Sequence, residues 1–301
     1  MERKFIYLIN PISGIKKKPA LFQTIKDVTE AAGFPFEIME TRKDGNYNFL
    51  QQLIHDEKIT DLIICGGDGS VSTVTAWLLH TDVNVGIIPT GSGNGLALAA
   101  GIPYSTKRSL DIIFKGYSSY IDGFMINDKF SCMMCGIGND AMVAHEFANK
   151  KVRGLKTYLK LSALNYFKSK PYSFAVTANE KDISVNAFFV TVANSNQFGN
   201  NITIAPRASL NDGLLDFIIV KKMHKLMLPF ALLRQISGIN AVTALQHYRN
   251  NSNIVYFQAA EAVIENLSDA PIHIDGEPVA CTRSIRIKIV PKAFRLLQPS
   301  P

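Results

Sequence analysis

Gly66-Gly67-Asp68-Gly69-Ser70 sets one carboxylate among three glycines. Lacking a Cβ, such residues let a loop turn sharply and turn its backbone N–H groups toward an anion. A bare anion site gains nothing from a negative side chain, so Asp68 points to a cation in the same place. The ordinary alternative is that Asp68 forms a turn, since Asp-Gly is a common turn dipeptide. A second loop, Pro89 to Ala97, offers Gly91, Gly93 and Gly95, the hydroxyls of Thr90 and Ser92, and the amide of Asn94. A third, Asn10-Pro-Ile-Ser13-Gly14, has the same character. Neither the dinucleotide spacing G-x-G-x-x-G nor the phosphate-loop spacing G-x-x-x-x-G-K-[ST] occurs. One glycine loop says little, but three at neighbouring strand ends point to a polyphosphate.

Alternating strands and helices position these loops. Lys4–Ile9, Phe36–Glu40, Leu62–Cys65 and Val83–Ile88 read as strands. Leu21, Ile25 and Val28 mark one face of a helix ended by Gly33, and Tyr47–His55 reads as a second helix. Val71, Val74, Trp77 and Leu78 recur at helical spacing behind Ser70, so that loop feeds a helix N-terminus, which favours negative charge. This order implies right-handed crossovers and a doubly wound, mostly parallel sheet, with ligands beyond the carboxyl ends of its strands. After about Asp122 the pattern changes to short strand-like runs. They are Phe130–Gly136, Tyr172–Ala178, Ala187–Ala193, Leu214–Val220, Asn253–Phe257, Ala262–Leu267 and Ser284–Ile289. Helical stretches over 152–168 and 226–246 interrupt them. The expected architecture is an α/β nucleotide-binding domain over 1–122 and an antiparallel β-sandwich over 123–289, with 290–301 as a tail that could return to the first domain.

The 301 residues carry a formal charge of +7, which favours anionic partners. Cations cluster at Lys16-Lys17-Lys18, at Lys150, Lys151, Arg153, Lys156 and Lys160, and at Lys221, Lys222 and Lys225. A solvated basic face or attraction to anionic lipid headgroups would explain them. No fold motif or stacked-aromatic pattern accompanies the charge, so nucleic acid is not expected as a partner. No apolar run is long enough to span a membrane, no signal-peptide core opens the chain, and four cysteines make no disulfide framework. A cytoplasmic protein is expected. Cys132-Met-Met-Cys135 has no second pair and lies in an apolar run, which reads as core packing. The six histidines show no metal spacing.

Asn-Pro-Ile-Ser-Gly, Gly-Gly-Asp-Gly-Ser and Pro-Thr-Gly-Ser-Gly-Asn resemble the three N-terminal signatures of the diacylglycerol kinase / sphingosine kinase catalytic-domain family. Later pieces resemble it too: Gly136-Ile-Gly-Asn-Asp140-Ala, Leu210-Asn-Asp212-Gly-Leu-Leu-Asp216 and Ile274-Asp-Gly-Glu277-Pro. The resemblance covers nearly the whole chain in order and is closest to the soluble bacterial lipid kinases of the family. It implies an ATP- and Mg²⁺-dependent kinase that phosphorylates a hydroxyl of a membrane lipid, with diacylglycerol as first choice. Asn10, Ser13, Gly66, Gly67, Gly69, Ser70, Gly91, Ser92, Gly93 and Asn94 would then bind nucleotide. The Asp212 carboxylate and the carbonyls of Ser209 and Leu214 would hold the metal, with Asp68 and Asp122 joined through water. Glu277, or else Asp68, would be the general base.

Other readings stay open. Gly95 and Ser70 replace the family's more usual aspartate and threonine, which brings in a sphingoid-base or ceramide kinase. Asp275-Gly276 is also a plain hairpin dipeptide, which would make Glu277 a solvated strand residue, and Asp212-Gly213 is equally a turn signal. Asp122 reads equally as a strand-end carboxylate. Asp140 could recognise a polar lipid head or cap the helix through Ala144 and Phe147. A soluble-substrate kinase of the NAD kinase type shares Gly-Gly-Asp-Gly but lacks the later motifs. A nucleotide-binding regulatory module without turnover is the alternative of another class. The protein is expected at an anionic membrane surface as a peripheral protein, and a homodimer is left open.

Overall fold

The computed structural model describes residues 3–13, 18–148, 165, 169–197, 203–240, 242, 245 and 252–300. Two compact units divide the chain, Met1–Asp122 with Pro291–Pro301, and Gly123–Val290.

In the first unit, strands β1 (Phe5–Ile9), β2 (Phe36–Glu40), β3 (Asp61–Gly66) and β4 (Asn84–Pro89) pair in parallel in the order β2-β1-β3-β4. The closing part of the last strand, β15 (Ser284–Leu297), extends this sheet, with Arg295 and Leu296 parallel to Asn84 and Val85. β1 and β3 are buried at every position, which is why they read as unbroken apolar runs rather than alternating ones. Helix α1 (Lys18–Ala31) sets Leu21, Ile25 and Val28 against the core of Phe5, Tyr7 and Ile63. Gly33 at φ +74° then turns the chain toward β2. α2 (Phe49–Asp56), α3 (Asp68–Thr75), α4 (Gly95–Ala99) and α5 (Thr106–Lys115) complete the alternation. From β1 the chain moves to one side of the sheet and from β3 to the other, so the carboxyl ends of these two strands form the switch point where such sheets bind ligands.

In the second unit the chain passes from β5 (Ser118–Ile126) through β6 (Lys129–Ser131) and β7 (Met134–Gly138) into helix α6 (Asn139–Ala148). The spine is β9 (Lys181–Ala193). Its first half pairs with β8 (Tyr172–Ala178), and its second half lies between β7 and β10 (Leu215–Lys221). β8 leads on to β12 (Glu261–Asn266) and the opening of β15. β10 leads to β11 (Ile254–Ala259), and β7 to β13 (Ile272–Ile274) and β14 (Glu277–Val279). All these pairings are antiparallel. The inward faces meet in one apolar core that includes Phe174, Val190, Ile264 and the stacked pair Phe217–Phe257, with ring centroids 4.9 Å apart. This is the β-sandwich that the succession of short strand-like runs predicts.

Two expected elements differ. The run Phe130–Gly136 is not one strand. It breaks at Cys132-Met133, because the Ser131 hydroxyl and the Met134 N–H both donate to Asp275 Oδ1, at 2.7 and 3.0 Å. Cys132 and Cys135 are buried and not joined in a disulfide. The helix over 226–246 is shorter, a 3₁₀ turn Lys225–Met227 followed by α7 (Leu228–Ile236). Gly238 at φ +69° ends it, with Ile239 N–H donating to the Arg234 carbonyl at 3.1 Å. The stretch 152–168 apart from Asn165, most of 241–251, Gly14, Lys16, Lys17 and the cluster Lys150, Lys151, Arg153, Lys156 and Lys160 lie outside the described residues.

A buried ion pair holds the amino edge of the parallel sheet. Asp61, fully buried at the start of β3, receives Arg3 through two nitrogens at 2.9 and 2.6 Å. Thr60 and Asn84 also donate to it, at 2.6 and 3.1 Å. Arg3 spends its remaining N–H groups on the carbonyls of Ile113 and Phe114 at the end of α5. Asn84 then links through Ser118 to Arg295, so β3, β4, β5 and β15 share one polar chain. Removing one partner of a buried pair leaves an uncompensated charge. Arg3→Ala should therefore lower the unfolding free energy by about 3–5 kcal/mol in urea titration. Lys4→Ala, which breaks the exposed pair with Glu57, should cost about 1 kcal/mol or less.

Candidate active site

At the carboxyl ends of β1, β3 and β4 three loops are stitched together; in chain order the first starts at Asn10, the second is 66–70 and the third 89–97. Asn10 donates from Nδ2 to Ser70 Oγ at 2.8 Å and accepts the Ile12 N–H at 3.0 Å, tying the first loop to the head of α3. Ser13 Oγ lies 2.8 Å from Thr90 Oγ1, tying the first loop to the third. Thr90 N–H donates to the Gly66 carbonyl at 2.9 Å. The tightest junction is between Gly67 and Gly91, where a Cβ on Gly91 would stand 2.5 Å from the Gly67 Cα. Gly91 therefore excludes any side chain, and Gly67, whose Cβ would stand 3.0 Å from the Gly91 Cα, leaves little room for one, because two main chains already occupy the space.

Asn94 holds the third loop in shape. It adopts the left-handed region at φ +52°, accepts the Gly91 N–H at 2.8 Å and donates to the Gly91 carbonyl at 2.7 Å. Asp68, at the first position of α3, accepts the N–H groups of Gly95 and Leu96 at 3.0 and 3.2 Å. Its carboxylate thus anchors the start of α4. Burial pushes its pKa above the ordinary carboxylate value, opposed by those amides and that of Asn94. Gly69 and Ser70 lie in the first turn of α3, whose N–H groups have no partner within the helix and point beyond the sheet. Asp122 is buried and accepts the Lys292 N–H at 2.8 Å.

The second unit carries two further groups of expected site residues. Asp275 and Gly276 take φ +50° and +82° between the paired Ile274 and Glu277, a two-residue hairpin turn with left-handed geometry at both positions. Glu277 opens β14 and is exposed. His273 supports this hairpin: its Nδ1 accepts the Gly276 N–H at 3.2 Å, which leaves Nε2 to donate to Asp140 at 3.2 Å. Both side chains are nearly excluded from water. A Cβ on Gly136 would sit 2.2 Å from His273 Nε2, so the first glycine of Gly-Ile-Gly-Asn-Asp clears the space for the pair. For Asp140, pairing with His273 is a third role beside the two read from sequence.

The other group is the turn before β10. Asp212 is exposed and accepts the Leu214 N–H at 3.1 Å, and Gly213 has φ +75°. Ser209 Oγ lies 3.2 Å from Asn211 Oδ1. Behind them Asp216 is fully buried and receives Tyr256 at 2.5 Å and Gln258 at 3.2 Å. Burial pushes its pKa up to about 6, against the pull of those two donors. Among the described residues no three His, Cys, Asp or Glu side chains converge as a metal cage. The donors at this turn are one carboxylate and main-chain carbonyls, oxygen ligands that suit a cation keeping much of its water, as Mg²⁺ does.

Sequence reasoning overlooked His273, a lone histidine in an apolar strand whose only signal was its place three residues before Gly276. It also overlooked Arg3 and Asp61, which carry no motif.

Residues 4–126 match the family described as diacylglycerol kinase catalytic domain, and residues 134–298 match the YegS C-terminal NAD kinase beta sandwich-like domain. A protein of Staphylococcus aureus named diacylglycerol kinase is 24% identical over 92% of this chain and 87% of its own length. An uncharacterised Synechocystis protein is 24% identical over 79% of this chain, which spans 54% of that relative. Among solved structures, one titled as a diacylglycerol kinase from Bacillus anthracis superposes with a TM-score of 0.72 at 19% identity, covering 99% of this chain and 97% of its own.

The junction of Gly67 and Gly91 can be tested directly. Gly91→Ala forces two backbones apart and should cost about 1–3 kcal/mol of stability. It should also weaken binding of a nucleotide triphosphate at least about tenfold by titration calorimetry, since a misplaced loop loses several contacts together. Ser92→Ala should leave stability unchanged.

Proposed function

The chain belongs to the lipid-kinase family built from a diacylglycerol kinase catalytic domain and a YegS-type β-sandwich domain, and we propose that it transfers the γ-phosphoryl group of ATP to a hydroxyl of a membrane lipid, with diacylglycerol as first substrate. The observation that carries this reading is the convergence of the three loops at the switch point of the parallel sheet. There Asn10 with Ser70 and Ser13 with Thr90 already cross-link one loop to the next, and Asn94 holds its own loop in shape. Phosphoryl transfer needs positioning and neutralisation of charge more than covalent chemistry. The first-turn N–H groups of α3 and the Ser92 hydroxyl hold the phosphates, while Asn94, buried and bonded to Gly91, shapes the loop that presents Ser92. Asp68 keeps the two glycine loops at a fixed separation through the amides of Gly95 and Leu96.

Glu277 accepts the proton of the lipid hydroxyl. It is exposed, stands at the first position after a rigid two-residue turn, and that turn is braced by His273 and Asp140. The turn bearing Ser209, Asp212 and Leu214 would hold Mg²⁺, which when bound neutralises phosphate charge. No described helix is long and apolar enough to cross a membrane. In this reading the protein meets its lipid as a peripheral enzyme on the cytoplasmic side.

A lipid panel with labelled ATP and Mg²⁺ tests the reading. Diacylglycerol should be phosphorylated in preference to sphingosine and ceramide, and chelation of Mg²⁺ should stop the transfer. Preference for sphingosine would move the substrate within the family, and nucleotide binding without transfer to any lipid would sink the catalytic claim. Glu277→Gln should lower kcat by about 10²–10⁴-fold with nucleotide affinity retained. Asp68→Asn, by contrast, should lower nucleotide affinity and stability together.

A further inference from the structure

The turn Lys225–Met227 and helix α7 present an apolar surface to water. α7 buries only Leu228, Ala231 and Gln235, the last bonded to the Ile204 carbonyl at 2.8 Å. On its other side Leu226, Met227, Phe230, Leu233, Ile236 and Ile239 are between 40% and 72% exposed. Leu226, Phe230 and Leu233 follow at spacings of four and three, so they form one stripe along the helix. Among the described residues eleven large hydrophobic side chains are at least 40% exposed, and six of them fall in the fourteen positions 226–239. The concentration makes a patch, unlike the scattered exposed apolar residues found on any protein surface.

The stretch of sequence that carries the patch has charge of one sign. Between Asp216 and Glu261 the sequence holds no carboxylate, although 25 acidic residues in 301 would place three or four in such a stretch. The same stretch contains Lys221, Lys222, Lys225, Arg234 and Arg249, five positive charges against a net +7 for the whole protein. An exposed apolar stripe in a segment that carries cations and no acids matches the surface of an anionic bilayer. The apolar groups enter the boundary between headgroups and acyl chains, and the cations stay among the headgroups. A second copy of the chain fits less well. A two-fold contact through α7 would bring this cationic segment against itself, with no carboxylate in it to pair.

We propose that the Lys225–Met227 turn and α7 are the surface by which the protein docks on anionic membranes. Leu226, Phe230 and Leu233 are the inserting side chains, and Lys222, Lys225 and Arg234 hold the lipid phosphates. The inference rests on the reading that the substrate is a lipid, and it names where the enzyme meets it.

The test is sedimentation of the full chain with vesicles of phosphatidylcholine, with and without phosphatidylglycerol. Binding should require phosphatidylglycerol and weaken with added salt. The double variant Phe230→Ser/Leu233→Ser should reduce partitioning at least about tenfold, and Lys222→Glu/Arg234→Glu should reduce it about fivefold or more per charge. Both should keep the wild-type Tm, the wild-type sedimentation coefficient without vesicles, and turnover of a short-chain diacylglycerol supplied as monomers. Unchanged vesicle binding in the double variants would overturn the proposal. So would a change from dimer to monomer in Phe230→Ser/Leu233→Ser, which would assign the patch to a second copy. Vesicle binding through α7 by a protein that phosphorylates no lipid would leave this surface standing and remove the substrate reading instead.

Discussion

The contact of Gly67 with Gly91 is the constraint from which the first unit's architecture at its binding edge follows. Two main chains touch where β3 and β4 end, and only residues without side chains permit it. With that distance set, Asp68 reaches the amides at the start of α4, Thr90 reaches the Gly66 carbonyl, and Ser13 reaches Thr90. None of these bonds is strong alone, since a typical internal hydrogen bond contributes about 1 kcal/mol net. Their value is that they order loops before a ligand arrives, which lowers the entropy that binding must overcome.

Buried and half-buried carboxylates recur as the means of fastening one element to another. Asp61 gathers Arg3, Thr60 and Asn84 at the amino edge of the sheet, while Asp68 gathers two amides at the opposite edge. In the second unit Asp275 collects Ser131 and Met134, Asp140 takes His273, and Asp216 takes Tyr256 and Gln258. A buried charge is costly unless paired or hydrogen-bonded, so each such residue fixes the geometry of several donors. The Asp-Gly pairs of the motifs are therefore both turns and fasteners. At Asp275-Gly276 the plain hairpin reading and the site reading describe the same backbone, because the turn is what presents Glu277.

Much of this was legible in the sequence. The parallel sheet showed itself in strands alternating with helices, such as Lys4–Ile9 followed by the helix through Leu21, Ile25 and Val28, and the sandwich in a succession of short strand-like runs such as Tyr172–Ala178. The glycine loops stood out because their residue types serve little else. What stayed hidden depends on partners far away in the chain. The break at Cys132-Met133 is imposed by Asp275, some 140 positions later, and no local signal announces it. Arg3 and Asp61 look like surface residues until the ends of β1, β3 and α5 are brought together. The early stop of α7 was visible in Gly238, but the apolar residues beyond it continued the helical spacing and outweighed that signal.

The path of β15 bears on how the protein is made. β4 obtains its outer neighbour only from Arg295 and Leu296, which leave the ribosome about 200 residues after Asn84 does. At about 5–20 residues per second, the edge of the parallel sheet waits on the order of 10–40 s for its final strand. During that interval a flat, apolar strand edge is open to pairing with other chains. The enzyme's most aggregation-prone moment therefore falls during synthesis, and anything that delays translation of the second unit lengthens it.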